Sequence, residues 1–367
     1  MTCWPDSASE PQARSPGPLL PQGAATDLPV IVGLERGLRT GPVPDTRNRP
    51  PPRSPRAPAR PLRVMGTGTR CLPYTGIDAC VAASSRICID VRTAAHSRQG
   101  ECIVQIDLSG RTALVTGSTQ GIGYAIAVGL ARAGARVAVN GRDAERVTDA
   151  MDRVRADSGS DDVIAAVGDL ATEKGTAAVL EAVPVVDVLV NNLGIFGSAA
   201  PLEIDDAEWR RYFEVNVLSA VRLIRAYLPG MTERGWGRIL NLASDSAVVI
   251  PAEMIHYGMT KTSLLAVGRG FAKEAAGTGV TVNSVIAGPT HTGGVEDFVR
   301  ELVGNKLPWD EAQREFMIKH RPQSLIQRLI EPEEIAHMVV YLSSPYASAT
   351  TGGALRVDGG YIDSILP

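Results

Sequence analysis

No cysteine follows Cys102, which excludes thiol chemistry from the rest of this 367-residue chain. The five that exist (Cys3, Cys71, Cys80, Cys88 and Cys102) are odd in number and show no C-x-x-C spacing. A disulfide framework or thiolate metal site is therefore unsupported. Histidines number only 5, and none groups with carboxylates at ligand spacing, so no metal is expected. No apolar run reaches the roughly 18 residues of a membrane span. Met1 to Pro18 lacks a basic-then-apolar leader pattern. These absences lead to the expectation of a cytoplasmic protein with no membrane partner. Lysine is missing from residues 1–103, which hold 13 arginines, 8 acids and 15 of the 25 prolines. That segment carries a formal +5 and the remainder −8, in a chain of net charge −3.

The first segment runs through Pro16-Gly17-Pro18, Pro50-Pro51-Pro52 and Arg53-Ser54-Pro55-Arg56. It lacks the apolar periodicity needed to bury a core, so residues 1–103 are expected to be a disordered Pro/Arg-rich extension. The leading reading makes it a nonfunctional extension outside the mature protein; a nucleic-acid-binding arm and an Arg-rich transit peptide are the alternatives. No nucleic-acid partner is expected. The working domain is expected over 104–367, beginning near Val104.

From there strands and helices alternate. Thr112 to Thr116 reads as a strand leading into Gly117-Ser118-Thr119-Gln120-Gly121-Ile122-Gly123 and a helix over Tyr124 to Ala133. Strand, glycine turn, helix is the context of a dinucleotide-binding loop, with the pyrophosphate at the helix N-terminus. Arg136 to Asn140 is the next strand. Gly141 stands at its end, where NAD-specific sites place an acid, and Arg142 follows, which favours NADP over NAD.

Further strands are expected at Val163 to Val167, Val185 to Val190, Arg238 to Leu242, Val280 to Val285 and Ala354 to Val357. Between them lie a helix opened by Asp205 or Asp206 and stopped near Pro229-Gly230, one running to about Ala276, and one from Pro332 through Leu342. Residues 290–327 have mixed character. The pattern implies an α/β fold: a Rossmann-type doubly wound parallel sheet of about seven strands with helices on both faces. Gly117, Asn191, Ser244 and Gly288 all fall at strand C-terminal ends, the edge where ligands bind.

Tyr257 and Lys261 lie four apart on one helix, hence on one face. An ammonium beside a phenol is expected to lower its pKa and suit it to general acid–base work.

Together Thr116-Gly117-x-x-x-Gly121-x-Gly123, Asn191-Asn192-x-Gly194, Asn216, Ser244, Tyr257 and Lys261 resemble the short-chain dehydrogenase/reductase family over about 104–367. Ser244 precedes Tyr257 by thirteen residues, that family's usual interval. The C-terminal part, Arg321-Pro322 to Asp358-Gly359-Gly360, is similar to 3-oxoacyl-carrier-protein reductase-like members. The resemblance implies an oxidoreductase using NADP, with NAD as the alternative, on a ketone or secondary alcohol, with 3-oxoacyl thioesters as one candidate. It implies Tyr257 as general acid or base, Lys261 tuning it and binding the nicotinamide ribose, Ser244 holding the substrate oxygen, and Asn216 sustaining a water relay. Cofactor contacts are implied for Gly117, Ser118, Gln120, Gly121, Ile122, Gly123, Arg142, Asp169, Leu170, Asn191, Gly194, Gly288, Thr290 and Thr292. Two residues depart from the pattern. Leu193 replaces the usual Ala beside the cofactor, and Ala287 replaces a Pro, which is expected to loosen the loop carrying Thr292. His256 is expected to shape the pocket; for His291, substrate contact and solvent exposure both stand. The helices at about 206–228 and 257–276 suggest a homotetramer or dimer, as the family often forms. A nucleotide-sensing protein without turnover is the reading from another class.

Overall fold

Short runs of Val, Ile, Leu and Ala become the strands because both faces of a parallel sheet are covered, which favours continuous apolar stretches. The computed structural model describes residues 105–304 and 306–365. The extension expected over 1–103 lies outside the described residues.

The elements run β1 (Thr112–Val115), α1 (Gly121–Arg132), β2 (Arg136–Gly141), α2 (Ala144–Ser158), β3 (Val163–Val167), α3 (Glu173–Ala182), β4 (Val188–Asn191), α4 (Asp206–Phe213), α5 (Ser219–Glu233), β5 (Gly237–Ser244), α6 (Ile255–Glu274), β6 (Val280–Ala287), α7 (Gly293–Val303), α8 (Trp309–His320), α9 (Pro332–Ser343) and β7 (Ala354–Val357). The sheet has seven strands in the order β3-β2-β1-β4-β5-β6-β7. Every pairing is parallel, with Leu114 opposite Ala138 on one side and Leu189 on the other. The order reverses between β1 and β4, and that switch point is where such sheets open a ligand crevice.

Alternation along the strands divides the core. Ala113, Val115, Val137, Val139, Val188 and Val190 pack under α1, α2 and α9. Their neighbours Leu114, Ala138 and Leu189 pack on the opposite face with Leu223, Ile224 and Met231 of α5. Helix starts follow local chemistry: Asp143, Thr172, Asp205 and Thr292 each accept a backbone N–H as N-caps. Glu331 and Glu334 form a capping box across the first turn of α9, which opens at Pro332.

The structure corrects three expectations. The helix from Asp205 does not stop at Pro229; α5 continues to Glu233. Pro229 removes only the hydrogen bond to the Arg225 carbonyl, and both residues lie on the exposed side, while Leu228 and Met231 are buried. Residues 290–327 contain two helices, α7 and α8, with a small core of Val299, Ala312, Phe316, Met317 and Leu329. Ala287 does not loosen its loop: it pairs with Val357 and Ser244, so the ladder extends where a proline would have ended it. Among the described residues, no helix is long and apolar enough to cross a membrane.

Candidate active site

Parallel strands with helical crossovers bring all strand C-termini to one edge, and a cleft of about 1250 Å³ opens there. One end of it is a cradle made mostly of main chain. Gly117 and Gly121 adopt φ of 60° and 58°, left-handed values that favour glycine. A Cβ on Gly123 would lie 2.5 Å from Asn192 Nδ2 and 2.6 Å from the Gly117 carbonyl oxygen, so only glycine fits. The turn is clamped to the end of β4. Asn192 Nδ2 donates to the carbonyls of Thr116 and Gly117, and Thr116 Oγ1 accepts from the N–H groups of Asn192 and Leu193. Gln120 precedes α1 without a side-chain cap, leaving the first N–H groups of the helix open to an anion. Its amide oxygen instead accepts from Arg146, and Gly121, Ile122, Gly123, Arg142 and Arg146 line the cleft.

Two residues expected at the cofactor do not line the cleft. Ser118 is fully buried, donating to the Val115 carbonyl and accepting from the Asn140 N–H. Asn191 is buried, and its side-chain N–H donates to Asn241 Oδ1. The reason is register: Asn191 is the last strand residue and faces β5, whereas Asn192 occupies the turn. Asp169 and Leu170 line the cleft after β3, and Gly194, Gly288, Thr290 and Thr292 line it from the far side. The Thr290 hydroxyl is used on the Gly288 carbonyl, and Thr292 caps α7 while sitting over Gly121.

The other end of the cleft is built from side chains. Ser244 ends β5; Tyr257 and Lys261 project from α6 into the same cleft. Asn216 lies in a π-helical segment, Glu214–Leu218, between α4 and α5. Its Oδ1 accepts from the Ile195 N–H, and its Nδ2 donates to the Ile195 carbonyl and to Thr260 Oγ1. That holds the chain after Gly194 against α6. Phe196 approaches Tyr257 with ring centroids 6.2 Å apart.

The electrostatics differ from what the sequence leads one to expect. Lys261 does not pull Tyr257 down: its Nζ lies 5.7 Å from the ring centroid and donates to the Leu242 carbonyl at 2.7 Å. Burial instead pushes the phenol above the usual tyrosine range; the Ser244 hydroxyl opposes this and Asp245 adds to it. Burial also brings the Lys261 ammonium down to about 8. Ser244 Oγ donates to Asp245 Oδ1 at 2.8 Å. Asp245 is itself buried, and that raises its pKa above the usual carboxylate value.

His256 is buried against Tyr212, ring centroids 4.1 Å apart, and does not line the cleft. His291 lies between Glu296 and Glu331 and stacks on Trp309. Among the lining residues to which the sequence assigned no role are Asn192, Arg146, Asp245 and Arg321. Asp245 carried a signal, a carboxylate beside the serine at a strand end. Arg321 carried none, because only the packing of α8 brings it near.

Comparison with known proteins agrees with this architecture. Residues 117–362 match the family model described as enoyl-(acyl carrier protein) reductase. The chain is 49% identical over 264 residues to the uncharacterized oxidoreductase YvaG of Bacillus subtilis, covering 72% of this chain and 100% of that one. It is 34% identical over 264 residues to the 3-oxoacyl-[acyl-carrier-protein] reductase FabG of Pseudomonas aeruginosa, covering 70% and 98%. The crystal structure of L-sorbose reductase from Gluconobacter frateurii, complexed with NADPH and L-sorbose, superposes with a TM-score of 0.67 at 32% identity, covering 71% of this chain and 100% of that one. With its parallel sheet, its glycine turn and these relatives, the chain belongs to the short-chain dehydrogenase/reductase family of oxidoreductases.

Proposed function

We propose that the protein is an NADP-dependent reductase that converts a ketone to a secondary alcohol, with Tyr257 giving the proton. The observation that carries this reading is the meeting of Ser244, Tyr257 and Lys261 on the cleft that also holds the glycine turn. A dinucleotide fits the cradle, since Gly117, Gly121 and Gly123 put no side chain between the α1 N–H groups and a diphosphate. Gly121 and Ile122 would hold the diphosphate, Asp169 and Leu170 the adenine, Lys261 the nicotinamide ribose and Thr292 the carboxamide. A nicotinamide held there would supply the hydride for the carbonyl carbon.

The chain's own residues do the rest. Ser244 orients the carbonyl oxygen. Tyr257, kept protonated by burial, donates its proton to that oxygen as the alcohol forms. Lys261, with a pKa of about 8, exchanges protons near neutral pH and restores the phenol, and Asn216 holds the chain through which water reaches it.

The end of β2 supports NADP. Gly141 stands where an acid would bind ribose hydroxyls, Asp143 is used as the cap of α2, and Arg142 and Arg146 line the rim. The names of relatives point to ketones of two kinds, an acyl thioester and a ketohexose. The test is NADPH and NADH oxidation with a panel of ketones, ketoses and 3-oxoacyl thioesters. Turnover with NADPH supports the reading. Preference for NADH moves it to an NAD-linked dehydrogenase, and cofactor binding with no turnover leaves a nucleotide sensor. All the proposed catalytic residues follow residue 103, so a protein beginning at Val104 is expected to keep the activity. Assembly into a dimer or tetramer belongs to the same reading, and light scattering checks it.

A further inference from the structure

The substrate end of the cleft holds a carboxylate and a guanidinium that the proposed chemistry does not use. Asp245 is only 7% exposed, yet it lines the cleft. Its Oδ1 is saturated: it accepts from Ser244 Oγ at 2.8 Å, from the Ser246 N–H at 2.7 Å and from Ser246 Oγ at 3.3 Å. No donor among the described residues reaches its Oδ2. That oxygen is not among the polar atoms sealed from solvent, so it is an acceptor open to a ligand in the cleft that Asp245 lines.

Arg321 presents the complementary deficit. Its guanidinium is 5.3 Å from the ring centroids of both Phe316 and Tyr361. Its Nη1 donates to the His320 carbonyl, but its Nε is buried with no acceptor. The two residues form no ion pair with each other, although Arg321 is near enough to draw down the Asp245 carboxyl. The cleft is thus lined by an open carboxylate oxygen and by a guanidinium whose hydrogen-bonding capacity is only partly used, both at the end that holds Ser244.

Only some substrates satisfy both. An alkyl chain leaves both polar groups unpaired. A carboxylate suits Arg321 but faces the Asp245 charge. A hydroxyl donates to a carboxylate and accepts from a guanidinium at once. Resting on the reductase reading above, we infer that Asp245 and Arg321 are substrate-recognition residues for a hydroxyl beside the reacting carbonyl. The substrate class is the hydroxyketones, ketoses included, and the products are the corresponding vicinal diols. Asp245 accepts from the Ser244 hydroxyl, so the hydroxyl it takes lies beside the oxygen that Ser244 holds.

The full chain is tested with NADPH on a matched pair, 3-hydroxy-2-butanone and 3-methyl-2-butanone, which differ by hydroxyl against methyl. Acetoacetyl thioester serves as a third substrate. The wild type is expected to prefer the hydroxyketone by about 100-fold or more in kcat/KM, because a site built to hydrogen-bond a hydroxyl rejects the analogue that lacks it. Asp245→Ala and Arg321→Met are each expected to reduce that ratio at least about 10-fold, chiefly through KM for the hydroxyketone. Asp245→Asn keeps an acceptor oxygen and is expected to retain part of the ratio.

If Asp245 merely orients Ser244, Asp245→Ala lowers kcat/KM for both ketones by one factor and leaves the ratio intact; that result overturns the inference while the reductase reading stands. A wild-type preference for the methyl ketone or the thioester overturns it as well. If no carbonyl turns over, the reductase reading fails. Calorimetric titration of 3-hydroxy-2-butanone and 3-methyl-2-butanone into the NADPH complex still decides: selective binding lost in Asp245→Ala upholds the recognition pair, and equal binding overturns it.

Discussion

The two ends of the cleft solve different problems with different materials. At the cradle the lining is mostly main chain, the turn is held by the Thr116 and Gly117 carbonyls accepting from Asn192, and side chains are kept out by glycine. At the substrate end, Ser244, Asp245, Tyr257 and Lys261 sit close together with their hydrogen bonds directed at one another or at Leu242. Main-chain groups carry fixed dipoles that no burial can titrate. Side-chain groups carry protons, and their affinity for them is set by how little water they see. The cradle is therefore rigid and permanently polarised, while the other end is tuned.

The largest expected effect separates the two ends. Tyr257→Phe removes the proposed proton donor and leaves the cradle untouched. Turnover is expected to fall about 10²–10⁴-fold, while NADPH affinity, read by fluorescence titration, stays at the wild-type value. A variant that reduces ketones at the wild-type rate would break the division at its centre.

Gly123→Val attacks the opposite end. Its Cβ would meet Asn192 Nδ2 at 2.5 Å and the Gly117 carbonyl oxygen at 2.6 Å, so the clamp between β1 and β4 must open. Overpacking of this kind costs about 1–3 kcal/mol, and thermal unfolding is expected to show it together with a loss of NADPH binding. Wild-type cofactor affinity in this variant would show that the cradle is not where the cofactor is held.

Arg142→Ala sharpens the comparison at the rim of the cradle, where a side chain is proposed to contribute. Losing one charge-assisted contact is expected to reduce kcat/KM with NADPH by about 10–100-fold and to leave NADH unchanged. Equal losses with both cofactors would remove the basis for the proposed NADP preference.

The smallest effect tests the tuning itself. Lys261 is held at about 8, below the ordinary lysine value of 10.5. Between those two values the unfolded chain binds more protons than the folded one, so this lysine makes stability rise with pH. Below about 8 both states are protonated and the contribution is flat. Measured against Lys261→Met, the wild type is expected to gain at most about 1.4 kcal/mol per pH unit from pH 8 to 10. An unchanging difference would mean that the ammonium is not desolvated.

Much of the architecture is legible in the sequence. Each strand of the parallel sheet is a short apolar run, and glycine or a small polar residue marks its end, as at Gly117, Ser244 and Gly288. Local patterns fail where long-range packing outweighs local chemistry. Pro229 reads as a helix stop, but the faces of α5 that carry Leu228 and Met231 are buried, and the lost hydrogen bond lies on the solvent side. Asn191 and Asn192 are indistinguishable as letters; the pleat sends one between strands and the other to the glycine turn.

By itself the chain order determined the alternation of strand and helix, the glycine spacing that excludes side chains from a turn, and the placement of Tyr257 and Lys261 on one helical face. These depend on periodicity and steric size, which are local. Only the tertiary structure decided that burial, not the neighbouring ammonium, governs the Tyr257 phenol. Only it brought Arg321, from the end of α8, to the cleft that holds Asp245. Desolvation and the meeting of distant charges depend on what surrounds a group in space, and no residue's neighbours in sequence specify that.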